Sequence, residues 1–514
     1  TKRKLIIFAY LKSPRDRLQT HSMKHYHLCG RVILSIMAEK IIGRRQEQSV
    51  LSECYGSDKA ELVAVYGRRR IGKTFLVKNF FKEGFCFYLT GIYQGTKKEQ
   101  LRFFNKQLCE YSGIPYPEAE NWFDAFDQLK HYLSNLPENR KAVVFIDELP
   151  WLDTPRSRFI KAFELFWNSW AADRSNLKMI VCGSATTWMM SHLLGSKGGL
   201  HNRVTRRIKL SPFTLSEAED YLKAKGVVWN RYQIAEAYMI FGGTPYYLEM
   251  LRKSYSLPQN IDYLFFSENA ELKDEYSFLF RSLFNDSSLY RSIVELLAKK
   301  SRGMSRAEMM SALKQEDGGN FSKALDNLCA CDFLRRYSAF GKVERDVLYQ
   351  LTDLFTLFYL RYVKNSNSRD EHLWTNMLDS PEHRTWCGYS FEQLCLHHLP
   401  QIKAALGIGG VQSDVCSWFC LANDEHPGGQ VDLVIDRRDQ VINLCEMKYS
   451  LGEYEITGKY EKTLLERREL FRATTKTRKA LHLTLVTTYG LKNNQHSGSI
   501  QSQVVLDDLF RDIR

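Results

Sequence analysis

The 514-residue sequence lacks any run of about 18 consecutive apolar residues, the length a membrane-spanning helix needs, so no transmembrane helix is expected. It also has no C-x-x-C pair, no internal repeat and no low-complexity tract. Its 12 cysteines are scattered, and Cys416 and Cys420 have a spacing that suits half of a zinc site. No second Cys or His pair follows them, so no convincing His/Cys metal cluster is seen. The thiols read as free ones in a reducing compartment, and a cytoplasmic location is expected. What is present is ordinary globular material, with 44% hydrophobic and 25% charged residues and a mean hydropathy of −0.36. That composition excludes a disordered tail, a collagen-like repeat and a disulfide-stapled miniprotein, and the length sets a prior of about three domains.

The charge is uneven: 72 Lys+Arg against 59 Asp+Glu give +13. Residues 1–36 hold eight bases (Lys2, Arg3, Lys4, Lys12, Arg15, Arg17, Lys24, Arg31) and the single acid Asp16, a local +7. That stretch has neither the apolar run nor the cleavage site of a signal peptide. Met37 directly precedes Ala38-Glu39-Lys40, where a recognisable domain begins. Residues 1–36 are therefore expected to be an upstream extension, with the functional chain starting at Met37. The remaining charge supports an acidic partner such as nucleic acid only weakly.

The strongest motif is Gly67-Arg68-Arg69-Arg70-Ile71-Gly72-Lys73-Thr74, a complete G-x-x-x-x-G-K-[ST]. Before it, Leu62 to Tyr66 reads as a buried strand; after it, Thr74 to Phe81, with Phe75 in its first turn, reads as a largely buried helix. Phosphate binding needs this order. Glycines let backbone N–H groups approach phosphate oxygens, and a helix N-terminus adds a favourable dipole. Lys73 is expected to reach the β- and γ-phosphates, and the Thr74 hydroxyl to ligate Mg²⁺. Further on, the apolar strand Ala142 to Asp147 ends in two acids. Asp147 would hold Mg²⁺, directly or through water, while Glu148 would orient or deprotonate the attacking water. Alone the acids would read as a helix N-cap region, but beside a phosphate loop the catalytic reading prevails. A third strand, Met179 to Gly183, ends at Ser184, which either senses the γ-phosphate or caps a helix. ATP and Mg²⁺ are the expected cofactors.

These stretches resemble the archaeal-type ATPases of the AAA+/STAND group of P-loop NTPases. Ile42-Gly43-Arg44-Arg45-Gln46-Glu47 is similar to the family's opening motif, which implies that Gly43 and Arg44 lie beside the nucleotide base. Tyr66-Gly67-Arg68-Arg69-Arg70 is similar to the family's form of the phosphate loop. His201-Asn202-Arg203-Val204-Thr205-Arg206-Arg207 resembles the segment ahead of the last core strand. There Arg203, Arg206 or Arg207 is either a γ-phosphate sensor or finger, or a solvated or ion-paired arginine. Gly242-Gly243-Thr244-Pro245 resembles the G-x-P element, which implies that Pro245 packs near the nucleotide in a helical lid. The resemblance implies an α/β P-loop core over residues 37–212 and a helical lid over 213–285.

Residues 286–363 read as a winged helix. Ser288 to Ala298 has helical apolar spacing, Ser305 to Glu308 is a capping box, and Phe321 to Leu328 is the third helix. Phe333 to Tyr337 and Val347 to Leu351 read as wing strands. Such a unit either enters the major groove or, as the resemblance implies, serves as a lid or connector. The third helix offers Lys323 as its base, among Asp326 and Asn327.

After a polar stretch from Lys364 to Asp370, residues 370–514 contain the hairpin Gln430 to Lys448. If it closes with a three-residue loop at Arg438 to Gln440, Asp432 pairs across from Glu446, and Lys448 shares the face of Glu446. Two carboxylates and a lysine at a strand end suit Mg²⁺-dependent phosphodiester hydrolysis, with Asp432 and Glu446 as metal ligands and Lys448 positioning water. The pattern resembles the Asp…Glu-x-Lys motif of the restriction-endonuclease-like superfamily. Glu392 on an apolar helix fits the extra metal-binding acid that this resemblance implies. The pair His397-His398 reads as structural. Two functions remain in view: a nucleotide-controlled nuclease acting on DNA, and an ATP-switch scaffold whose C-terminal unit binds or oligomerises without cleaving. DNA and further copies of the chain are the candidate macromolecular partners; no membrane partner is expected.

Overall fold

A computed structural model describes residues 40–195, 200, 202–284, 287–316, 318–341, 347–364, 366, 370–422 and 427–513. The N-terminal extension, His201 and part of the stretch before residue 370 lie outside the described residues. Among the described residues no helix is long and apolar enough to cross a membrane.

The first layer is a parallel sheet of β1 (Glu61–Tyr66), β2 (Phe87–Thr90), β3 (Ala142–Asp147), β4 (Leu177–Gly183) and β5 (Arg206–Lys209), in the order β2-β3-β4-β1-β5. β3 and β4 are buried throughout, as a parallel sheet covered on both faces requires. Alternate residues serve the two faces. Val63, Val65, Phe145 and Ile180 pack with Leu76 and Val77 of helix α1 (Lys73–Phe80), while Leu62, Ala64, Ile146 and Val181 face the opposite core. Because β4 lies between β1 and β3, the carboxyl ends of all three strands open on one crevice, the usual ligand position in such sheets.

The chain then becomes helical, with α2 (Leu215–Ala224), α3 (Arg231–Phe241), α4 (Pro245–Glu249) and α5 (Glu275–Leu283) among its elements. Capping boxes at Thr214 and Asn230 fix where α2 and α3 begin. Next come α6 (Ser288–Leu297), β6 (Met304–Ser305), α7 (Arg306–Leu313), α8 (Gly319–Ala330), β7 (Leu334–Ser338) and β8 (Val347–Leu351), with an antiparallel sheet ordered β6-β8-β7. The Ser305 capping box opens α7.

The C-terminal unit has a five-stranded sheet of β9 (Ser413–Cys420), β10 (Gly429–Arg437), β11 (Val441–Lys448), β12 (Ala480–Thr487) and β13 (Ser502–Val505), ordered β13-β12-β11-β10-β9. β9, β10 and β11 are antiparallel neighbours, and β11, β12 and β13 run parallel. Helix α9 (Pro381–His397) covers one face through Phe391 and Leu394, against Cys445 and Met447. Helix α10 (Gly458–Thr475) covers the other through Leu464 and Phe471, against Val434 and Leu444. One apolar cluster includes residues from Phe213 to Phe510, so the helical segment α2–α5, the unit from α6 to β8 and the α9 face share a core. The α6–β8 unit also touches the edge of the C-terminal sheet: the Phe340 N–H donates to the Ser417 carbonyl at 2.7 Å.

Candidate active site

The loop between β1 and α1 is shaped for phosphate. Gly67 has φ 142°, and a Cβ there would lie 2.3 Å from the Leu210 carbonyl oxygen, so only glycine fits. Gly72 takes φ 87° as the residue before α1, leaving the first N–H groups of the helix directed at the crevice. Lys73 is buried, and its Nζ donates to the carbonyls of Gly67 and Arg68 at 2.9 and 2.8 Å. Phe75 is 39% exposed in the first turn of α1.

The expected metal pair is brought together, since Thr74 Oγ1 donates to Asp147 Oδ2 at 2.7 Å. Glu148 stands in the left-handed region at φ 46° before a short helix, and its side chain makes no capping bond. Its Oε2 instead accepts from the N–H and hydroxyl of Ser184 at 3.0 and 2.8 Å. Ser184 likewise caps nothing: the short helix beginning at Thr186 has Ala185 at its cap. The ends of β3 and β4 are thereby joined through a carboxylate, free of any helix-capping duty, beside the phosphate loop.

The loop arginines have side-chain partners that sequence reasoning did not find. Arg68, 3% exposed, forms an ion pair with the equally buried Asp353 and donates to Thr244 Oγ1 at 2.6 Å. Burial opposes the charge on Asp353, yet Arg68 and the Thr356 N–H hold its carboxyl below the usual range. Arg70 grips Glu275 with two bonds of 3.0 and 3.1 Å and stacks 3.8 Å over the Tyr246 ring. Glu275 lies on α5 and Asp353 just after β8, so both arginine side chains are held by partners outside the phosphate loop. Ile71 is also fixed, its carbonyl accepting from Arg44 at 3.1 Å. Arg44 further donates to the Ser211 carbonyl at 2.7 Å, and its N–H to Glu217 at 2.8 Å. A Cβ on Gly43 would lie 2.7 Å from Glu217 Cγ, which explains the glycine. Pro245 is the first residue of α4, next to Thr244 and Tyr246 on the loop arginines. Arg203, Arg206 and Arg207 are all exposed, and Arg206 and Arg207 stand on β5 itself rather than ahead of it.

A family described as an ATPase domain predominantly from Archaea matches residues 42–251. Residues 42–251 are an archaeal-type ATPase domain. An uncharacterized protein of Methanocaldococcus jannaschii is 22% identical over 413 residues, covering 79% of this chain and 87% of that one. An uncharacterized ATP-binding protein of the same organism is 42% identical over 41 residues, 8% of this chain and 70% of that one. Among solved structures, a Walker-type ATPase of Pyrococcus abyssi aligns with a TM-score of 0.46 at 18% identity, covering 64% of this chain and all of that one. For the ATPase domain, Glu148→Gln is expected to preserve nucleotide binding and lower turnover by about 10²–10⁴-fold. Equilibrium binding of a fluorescent nucleotide beside phosphate release checks both halves.

The C-terminal carboxylates lie outside this domain. The β10–β11 register pairs Leu433 with Cys445, and one further step sets Asp432 opposite Glu446. Lys448 Nζ lies 3.6 Å from Glu446 Oε2. Glu446 also pairs with Arg467 and accepts from the Tyr460 hydroxyl at 3.2 Å, both from α10. The Glu392 carboxyl is pushed up to about 8, by burial first and then by Asp432 and Glu446, with Lys448 opposing. Among the described residues Glu392, Asp432 and Glu446 do not bring one carboxylate oxygen each within 4.8 Å of the other two, whereas Glu236, His383 and Cys387 bring one ligand atom each that close. The His383/Cys387 spacing on one helix was the signal available for this cluster. His398 is buried and accepts from the Leu215 N–H at 3.0 Å, whereas His397 is exposed.

Proposed function

We propose that the chain couples ATP hydrolysis at residues 42–251 to a Mg²⁺-dependent, nuclease-like unit at residues 370–514 that acts on DNA. The reading is carried by the attachment of the phosphate loop at two points. Arg68 reaches Asp353 beyond β8, and Arg70 reaches Glu275 in the lid. A shift of this loop on nucleotide binding would move the lid and the α6–β8 unit together. That unit rests on β9, beside the carboxylates.

At the first site the loop N–H groups, Lys73 and the start of α1 would hold the ATP phosphates. Lys73 Nζ would exchange its loop carbonyls for β- and γ-phosphate oxygens, so the charge is already in place when substrate arrives. Mg²⁺, held by Thr74 and Asp147, would neutralise charge on the phosphoryl oxygens. Water attacks the γ-phosphorus, the bond to ADP breaks, and Glu148 takes the proton from the water. Ser184 fixes the Glu148 carboxylate until substrate reorients it. Arg203, Arg206 and Arg207 are exposed enough to serve a neighbouring copy.

At the second site Glu392, Asp432 and Glu446 would hold a hard cation, and Lys448 would position the attacking water. The α6–β8 unit would be a winged helix acting as connector, since the chain just after β7 bridges to β9 at Ala339 and Phe340. A cleft between it and the C-terminal unit is lined by Arg302, Arg335, Glu392 and Asp432, bases facing acids as a phosphodiester and its metal require. One observation favours the scaffold reading: Arg467 already neutralises Glu446. Lys448→Ala separates the two readings. The nuclease reading expects DNA cleavage to be lost with ATP hydrolysis changed less than about twofold, because Lys448 sits against Glu446 and Tyr460 of the C-terminal unit. Equal loss of both activities would contradict two separate sites.

A further inference from the structure

Helix α3 of the lid and helix α9 of the C-terminal unit pack closely enough for the Ser390 hydroxyl to reach Met239 Sδ at 3.2 Å. In that seam one carboxylate, one imidazole and one thiol meet, from Glu236, His383 and Cys387. A ligand atom from each lies within 4.8 Å of the other two. We propose that these three residues form a zinc site that fastens the ATPase lid to the C-terminal unit.

The donor set decides the metal class. A thiolate and a neutral imidazole exclude Mg²⁺ and Ca²⁺, which take oxygen ligands, and suit a borderline dication such as Zn²⁺. Thiolate and carboxylate together carry two negative charges, which the dication balances in a buried seam. Three protein ligands leave the fourth tetrahedral position to a water, and a small cavity lined by Glu236, Trp374, His383 and Cys387 adjoins the cluster. Binding releases the Cys387 thiol proton to solvent, and one S–Zn, one N–Zn and one O–Zn bond would replace bonds from the hydrated ion to waters that return to solvent.

Two further observations point to a ligand. His383 is 8% and Cys387 2% exposed, yet among the described residues the imidazole nitrogens have the Cys387 Sγ as their sole hydrogen-bond partner, at 3.7 Å and 4.0 Å. A buried imidazole ordinarily has an oxygen or nitrogen partner. Edge-on packing against Trp374 at 5.2 Å fixes the ring. Tyr449 Oη donates to Glu236 Oε1 at 2.7 Å, the kind of outer bond that orients a metal-binding carboxylate. His383 and Cys387, one turn apart on α9, present their side chains on one side of the helix, towards α3.

The test uses the full chain, stripped with a chelator and titrated with Co²⁺ as a spectroscopic stand-in for zinc. The site predicts about one tightly bound Co²⁺ per chain, with a thiolate-to-cobalt charge-transfer band and the visible bands of tetrahedral cobalt. Cys387→Ser should abolish the charge-transfer band. Glu236→Gln should keep that band while weakening affinity about tenfold or more. Thermal unfolding and nucleotide binding of each variant exclude a simple folding failure. A thiol–imidazole contact without metal is the competing outcome. It would be established by the absence of a thiolate band in folded wild type, or by a band that Cys387→Ser leaves unchanged, and either result overturns the proposal.

Discussion

Arg68→Ala is expected to lower the unfolding free energy by about 3–5 kcal/mol, the loss typical of breaking a buried ion pair from one side. The cause is the group left behind. Asp353 is 3% exposed and lies at the start of a helix whose Thr356 N–H it caps at 2.8 Å, so its charge cannot move to water. The same variant removes the bond to Thr244, which ties the phosphate loop to the start of α4. Replacing both partners with apolar residues, as Arg68→Met with Asp353→Leu, should recover most of the lost stability while leaving ATP turnover impaired. Urea unfolding of the three proteins measures the first effect and phosphate release the second. A loss below about 1 kcal/mol for Arg68→Ala would mean that the pair behaves as an exposed one, contrary to its burial.

Lys73→Ala is expected to cut ATP turnover by at least about 10²–10³-fold, the usual consequence of removing one preorganised charge from a transition state. Two effects combine in this case. The ammonium is absent from the β- and γ-phosphates, and the carbonyls of Gly67 and Arg68 lose the donor that holds them at 2.9 and 2.8 Å. Nucleotide affinity should fall with turnover, which distinguishes this variant from Glu148→Gln, where affinity is retained. Single-turnover phosphate release beside a binding isotherm reads both quantities. An unchanged rate in the purified variant would remove the phosphate-loop assignment.

The ATPase core was legible because its signals are local. An apolar strand, a glycine loop and a helix follow one another within a few residues of Gly67, and the acids at Asp147 and Glu148 end a second apolar strand. Period-two patterning points to the β10–β11 hairpin, and a three-residue loop gives a register that, continued one step beyond Leu433 and Cys445, sets Asp432 opposite Glu446. Contacts between residues distant along the chain were not legible. Nothing near Arg68 or Arg70 indicates that their side chains turn to Asp353 and Glu275, and an arginine in a phosphate loop reads more readily as a phosphate ligand. Arg467 sits on a helix whose sequence gives no sign that it reaches Glu446 on β11. Glu236 belongs to the lid, so its meeting with His383 and Cys387 depends on how α3 and α9 pack. The exposure of Arg206 and Arg207 accompanies the edge position of β5, a property of strand order that no local pattern encodes.

The proposed coupling requires that the nucleotide state of the ATPase domain govern the C-terminal unit. Its most direct test is Mg²⁺-dependent cleavage of linear, supercoiled and single-stranded DNA by the full chain without nucleotide, with ATP and with a non-hydrolysable analogue, beside Asp432→Ala. Cleavage is expected to disappear in Asp432→Ala and to differ between nucleotide states by about five- to 150-fold, the usual range of coupling between distant sites. Equal cleavage in every nucleotide state would contradict the coupling, and no cleavage of any substrate would leave an ATPase whose C-terminal unit binds without cutting.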